Sequence, residues 1–399
     1  MRIVHSVEDL PESWTASIFL VGPSPRKDTP VPSWRPQALA LLEDSNLPDD
    51  TVVFVPEPRD GSWPENYDDQ VEWEQTAIDA ADVIWAWVPR DLDNKMLGLT
   101  TNTEIGEVLA TGKLVLGAPP EAHKVRYLAA RLSTVSQGTE KLHDNMGGCV
   151  ARVVALIGDG ALRSGGERKV PIGIWKHSAF QSWYKAQTEA GNRLDDARQL
   201  WLFRIWKANF NFAFTLWVKV WISSEHRWKE NEFIFGRPDI STILLYNVVQ
   251  DETDRTVASL LTTEVILVRE FRSPARTDDG FVRELAGGSS WKPGQDHLTI
   301  AAEEVHEETG LSIPAKRFTQ LNSRQLCGTL SVHKAHLFAA ELTVEEMEEA
   351  RELASTNQAF GVEADSERTY VEVTTVHELL QSESIDWSML GMIFQGLCG

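Results

Sequence analysis

Cysteine is scarce in this chain. Cys149, Cys327 and Cys398 stand far apart, with no CxxC and no Cys/His spacing of the kind that holds zinc. A disulfide framework is thereby excluded, and a reducing cytoplasm is the expected setting. Long apolar runs are missing as well, since nothing approaches the roughly 20 apolar residues of a membrane span. The opening "MRIVHSVEDLPESW" carries acids and a proline where a secretory signal would need an apolar core. Positive charge is also short: 38 Lys and Arg against 59 Asp and Glu leave a net charge of -21, which disfavours a nucleic-acid backbone or an anionic membrane as partner. A small-molecule substrate is expected instead.

What is present is length and tryptophan. At 399 residues the chain exceeds one ordinary core, so two domains are expected. Apolar runs alternate with helical patterns from residue 16 to about 135: "ASIFLVG", then Trp34 to Leu42, "TVVFVP", Val71 to Ala81, "DVIWAWVP", Glu104 to Ala110 and "KLVLGAP". That rhythm predicts a parallel sheet with helices on both faces, an α/β domain over 1–157 closed by a helix at about 139–157. "GDGALRSGGERKVP" at 158–171 has the composition of a linker. The tryptophan-rich segment 172–211 reads as helical, with Ala197, Trp201 and Ile205 at helical spacing, and suggests a large internal or subunit interface. Strands at "FAFTLWVKVWI", "TILLYNVV" and "EVILVREFR" then open an α+β domain over 212–399.

"AAEEVHEETGL" at 301–311 places Glu304, Glu307 and Glu308 on one helix face, with Glu303 about 100° away and Gly310 able to close the helix in the left-handed conformation. Three carboxylates on one face form either an over-charged solvent face or a ligand set for a hard cation. The upstream "LVREFRSPARTDDGFVRELAGGSSWKPGQD" supplies two strands, a Gly-Gly turn and a loop, a setting suited to a divalent ion on a diphosphate.

This arrangement resembles the Nudix hydrolase family, and "VREFRSP" with "RELAGG" is similar to its ADP-ribose pyrophosphatase members. The resemblance implies a C-terminal α/β/α sandwich, Mg²⁺ with Mn²⁺ as the alternative, and metal-binding and catalytic roles for Glu304, Glu307 and Glu308. Glu367 in "DSERTYVEV" is implied as a further ligand or base, with an exposed loop acid as the other reading. Gly287 and Gly288 are implied at the substrate, and a homodimer is implied through the tryptophan-rich segment. Two positions depart from the family pattern: Gln295 stands where the signature has its upstream Glu, and Glu303 where it has Arg. Arg283 and Arg324 are the expected spatial substitutes for the missing arginine.

The first half resembles the nucleoside 2-deoxyribosyltransferase family, through "FLVGP", "WE", "AADVIWAWVP" and "TEIG" followed by "GK". The resemblance implies a flavodoxin-like parallel sheet whose nucleophile is Glu104. It implies that Asp91 or Asp93 binds substrate and that Glu74 of "VEWEQ" handles the base. The loop after the first strand and the loop running from Asp91 to Glu104 are expected to meet at the carboxyl edge of the sheet. Arg26 in "GPSPR" is a candidate for a 5′-phosphate. The structural alternatives are a helix-dipole acid at Glu104, helix caps at Asn102 and Thr103, and a structural role for Asp82.

Together the two halves predict a two-domain nucleotide-processing enzyme. One half hydrolyses a nucleoside diphosphate linked to another moiety such as ADP-ribose, and the other cleaves or transfers an N-glycosidic bond. The alternative is a non-catalytic ADP-ribose or NAD sensor, favoured by Gln295 and Glu303.

Overall fold

The structure, a computed structural model, describes residues 1–25, 31–63, 66–248, 257–289, 294–362 and 366–398. The chain divides into two compact units, Met1–Gly236 and Arg237–Gly399.

In the first unit, β1 (Arg2–His5), β2 (Ala16–Val21), β3 (Thr51–Val55), β4 (Val83–Trp87) and β5 (Leu114–Gly117) pair in parallel in the order β1-β3-β2-β4-β5. Strands β2, β3 and β4 are buried along their whole length, so their side chains feed two cores by alternation. Ile18, Leu20, Val53, Trp85 and Trp87 meet α1 (Arg35–Glu43) and α5 (Met146–Ile157) on one face. Phe19, Val52, Phe54, Ile84 and Ala86 meet α2 (Tyr67–Ala80), α3 (Leu99–Val108) and α4 (Arg126–Val135) on the other. Helices on both faces of a parallel sheet place a switch in winding between β2 and β4, where a ligand crevice forms at the carboxyl ends.

The glycine-rich stretch at 158–171 is no free linker. Arg163 and Ser164 pair with Trp14 and Ser13, and the fully buried Arg163 guanidinium lies against the fully buried Asp82 carboxylate. Asp82 also accepts from Ser17 N at 2.9 Å and Ile172 N at 2.7 Å, which makes it the structural hub of this edge.

The helical reading of the tryptophan-rich segment holds only for Ile172–Trp175 and α6 (Ser178–Glu189). From there the chain forms β6 (Arg193–Ile205), β7 (Phe210–Ile222) and β8 (Arg227–Gly236), an antiparallel sheet in the order β8-β7-β6. Ala197, Trp201 and Ile205 recur every fourth residue, an interval that serves one helix face and one strand face equally. Register shifts within β6 further blur its alternation.

In the second unit, β9 (Ile240–Asn247), β10 (Glu264–Phe271), β11 (Phe281–Glu284), β12 (Ala286–Gly288), β13 (Lys334–Glu341) and β14 (Thr369–Thr375) build a mixed sheet with the path β13-β9-β10-β14. β11 pairs with β10, and β12 with β9. Ile243, Leu245, Ile266 and Val268 pack beneath α7 (His297–Thr309) and α8 (Val344–Thr356), while Leu244, Val265 and Leu267 pack against α9 (Trp387–Cys398). The unit is thus a helix–sheet–helix sandwich. Asp296 caps α7 by accepting from Thr299 N, and Gly310 at φ 77° closes it as the sequence predicts. Among the described residues no helix is long and apolar enough to cross a membrane.

Candidate functional site

At the carboxyl edge of the first sheet, the chain leaves β2 through Gly22, Pro23 and Ser24. The buried Arg35 of α1 holds this turn, donating from Nη2 to Gly22 O at 2.8 Å and from Nη1 to Ser24 Oγ at 3.0 Å, and it forms an ion pair with Glu57. The loop after β4 approaches the same place. Gly98 stands at φ 59°, and a Cβ there would sit 3.3 Å from Pro23 Cγ, so the two loops meet as expected.

Glu104 lies in the second turn of α3, whose amino-terminal cap is Gly98 and whose first turn holds no acid. The helix-dipole reading of Glu104 therefore fails. The capping readings of Asn102 and Thr103 fail with it, because both lie inside α3 and Asn102 accepts from Arg90. Burial first, and the Glu74 charge second, push the Glu104 carboxyl up to about 7, against the opposing pull of Arg35. Burial also pushes Glu74 above its ordinary value, although Gln70 donates to it at 2.6 Å and Arg35 favours its ionised form. Glu74 and Glu104 thus interact across the crevice under one guanidinium.

The loop acids behave differently. Asp91 folds back on its own loop, accepting from Asp93 N at 3.0 Å, Asn94 N at 3.2 Å and Asn94 Nδ2 at 2.6 Å, and those bonds hold it below its ordinary value. Asp93 is exposed. Arg26 lies outside the described residues. Sequence reasoning missed Arg35 and Glu57, whose only local signal is a charged residue at the start of an otherwise apolar helix and one just beyond a buried strand.

In the second unit, α7 runs close along β12. Gly287 N donates to Glu308 Oε2 at 2.8 Å, and a Cβ on Gly288 would overlap the Glu304 carboxylate. Glu308 is 2% exposed, and burial followed by the Glu304 charge raises it well above its ordinary value. Glu304 is pushed up to about 7 by burial, then by Glu307, Glu367 and Glu303. Glu367 interacts electrostatically with Glu304, Glu308 and the buried Glu270. The expected carboxylates therefore share one field, joined by Glu270 of "VREFRSP".

The expected arginine substitutes are engaged elsewhere. Arg283 pairs with Glu372, and Arg324 reaches Gln395. Among the described residues, the cation whose charge reaches the cluster is Arg272. It contacts Glu270 and Glu284 at 2.8 Å each, and its charge favours ionised Glu308. Gln295 and Glu303, the two positions that depart from the Nudix pattern, meet each other, with Gln295 Nε2 donating to Glu303 Oε2 at 2.8 Å. This contact occupies Glu303 with a neutral partner while its charge still acts on Glu304.

A family model described as nucleoside 2-deoxyribosyltransferase like matches residues 15–122. No curated protein matches the chain. The match spans β2 through β5 and takes in Arg35, Glu74, Asp91 and Glu104. Residues 15–122 are a nucleoside 2-deoxyribosyltransferase-like domain, and a mixed α/β unit follows it.

Proposed function

We propose that the chain is a two-domain nucleotide-processing enzyme whose first site breaks an N-glycosidic bond through Glu104. The observation that carries this reading is the buried Glu104 carboxyl, raised to about 7 with the Glu74 charge acting on it, at the switch point of the sheet. Raised to about 7, Glu104 is ionised in a substantial fraction of molecules at and above neutral pH, and that fraction supplies the attacking carboxylate. In the forward step a Glu104 oxygen bonds to the anomeric carbon, the C–N bond breaks, and its electron pair leaves with the base. Glu74 delivers the proton that the departing base takes. Water or a second base then attacks the same carbon and frees the Glu104 carboxylate. Arg35 keeps the crevice walls in place and favours the ionised form of Glu104.

The second site, on this reading, hydrolyses a diphosphate such as that of ADP-ribose. Its donors fit a hard cation, because they are all oxygen and because Glu304 and Glu308 are driven towards the neutral form when no cation is among them. Glu304, Glu307, Glu308 and Glu367 would hold Mg²⁺, or Mn²⁺, which when bound supplies charge to neutralise phosphate oxygens. One carboxylate of the set orients the attacking water and takes its proton. The Nudix likeness of this site rests on its motif and on Arg272 standing in for the absent arginine.

The test incubates the protein with Mg²⁺ and a panel of ADP-ribose, NAD, nucleotide sugars and deoxynucleosides, beside Glu104→Ala and Glu308→Gln. Free base lost only with Glu104→Ala, and monophosphate lost only with Glu308→Gln, support the two assignments separately. The Gln295–Glu303 bond favours a second reading, in which the altered second unit binds ADP-ribose or NAD as a sensor. Ligand-induced thermal stabilisation without turnover would establish that reading and overturn hydrolysis. We also take the chain to be a homodimer through β6 to β8, where Trp201, Phe203, Trp228 and Phe233 lie exposed. A monomeric mass in solution scattering would sink this.

A further inference from the structure

Asp239, His297 and His336 are far apart in the sequence and belong to no recognisable ligand spacing. In the second unit they come together, with one potential ligand atom from each within 4.8 Å of the others. Asp239 precedes β9, His297 is the first residue of α7, and His336 lies in β13. The parallel pairing of β9 with β13 sets Ser241 opposite His336, which brings Asp239 and His336 to one end of the sheet. The two imidazoles stack with centroids 3.6 Å apart, so an ion shared between them requires the rings to splay until their in-plane lone pairs converge.

Each side chain is oriented from behind. His297 Nδ1 bonds Ser241 Oγ at 2.9 Å, and His336 Nδ1 bonds Ser323 Oγ at 2.7 Å. Asp239 Oδ1 accepts from Lys334 N at 2.9 Å. Those bonds leave both Nε2 atoms and Asp239 Oδ2 facing one another, where His336 Nε2 and that oxygen are hydrogen-bonded at 3.1 Å, a bond that an entering ion would replace. A hydrogen-bond acceptor on the remote imidazole nitrogen is the outer support that metal-binding histidines commonly have, and here a serine hydroxyl takes that place. Two neutral imidazoles and one carboxylate suit a borderline divalent ion, with a coordination position left for water.

The geometry points to a zinc-class site on Asp239, His297 and His336, separate from the glutamate cluster, that pins the first turn of α7 to the sheet. The all-oxygen cluster suits a hard ion, whereas this set, with two nitrogens, suits a borderline ion of the zinc class. Because α7 carries Glu304, Glu307 and Glu308, zinc here would fix the register of the carboxylate helix without touching substrate. The site does not depend on the activity assigned to either unit.

Metal-stripped full-length protein is titrated with Co²⁺, and its visible absorption is followed before competition with Zn²⁺. One Co²⁺ with the intense bands of a low-coordinate N/O site, displaced by Zn²⁺, is expected, beside any weakly absorbing six-coordinate Co²⁺ that the glutamates hold. Asp239→Asn and His336→Gln should abolish those bands, Ser323→Ala should weaken binding about 10- to 100-fold, and Glu308→Gln should leave them. Circular dichroism identifies any variant that fails to fold. In parallel, Zn²⁺ should raise the melting temperature of the unmodified protein and not that of His297→Gln. Two results would overturn the site: Co²⁺ affinity unchanged in Ser323→Ala and His336→Gln, or the bands lost in Glu308→Gln.

Discussion

Replacing Glu104 by Gln should stabilise the first unit at alkaline pH while abolishing base release. In the fold this carboxyl is carried from its ordinary 4.5 up to about 7. Below pH 4.5 it is protonated in both the folded and unfolded chain and contributes nothing. As the pH rises towards 7, the unfolded chain releases the proton while the fold retains it, so stability falls, and the full loss is present above about pH 7. At about 1.4 kcal/mol per tenfold, the loss is on the order of 3 kcal/mol. Gln keeps the neutral shape and escapes it. For a unit of this size the gain corresponds to a melting temperature higher by about 5–10 °C at pH 8, with little difference at pH 4. Thermal unfolding followed by tryptophan fluorescence at the two pH values makes the comparison, beside a base-release assay. A variant no more stable than the parent at pH 8, or equally shifted at both pH values, would refute a buried Glu104 held towards its neutral form.

Asp82→Ala leaves Arg163 charged and fully buried, and should cost about 3–5 kcal/mol by urea unfolding. Asp82→Leu combined with Arg163→Met should recover most of that loss, and failure to do so would mean that the backbone donors of Ser17 and Ile172 dominate. Gly288→Ala places a methyl on the Glu304 carboxylate and should depress Mg²⁺-dependent monophosphate release at least tenfold without unfolding the unit, as circular dichroism would verify. Glu303→Arg breaks the bond to Gln295, so Mg²⁺-dependent turnover should change by less than threefold if Arg272 already serves the cluster. A large gain would instead show the lost arginine to be limiting.

The sequence went far where chemistry is local. The buried strands of the first sheet were legible because both of their faces are apolar, and α7 was legible from its cap, its closing glycine and the spacing of Glu304, Glu307 and Glu308. It misled at β6, because a four-residue recurrence does not distinguish helix from strand. It misled again at 158–171, where glycine and charge read as a linker although Arg163 fills a buried site on Asp82.

By itself, then, the sequence determined the parallel α/β half, the acidic helix and the identity of Glu104 and Glu308 as the acids to watch, since each follows from periodicity or from a short motif. Only the tertiary structure decided which cation each acid meets. It set Arg35 beside Glu104, Arg272 beside Glu308 and Gln295 on Glu303. It also gathered Asp239, His297 and His336. The physical reason is the same in each case: charges act through space, and strand pairing and helix packing, not sequence spacing, set the distances between them.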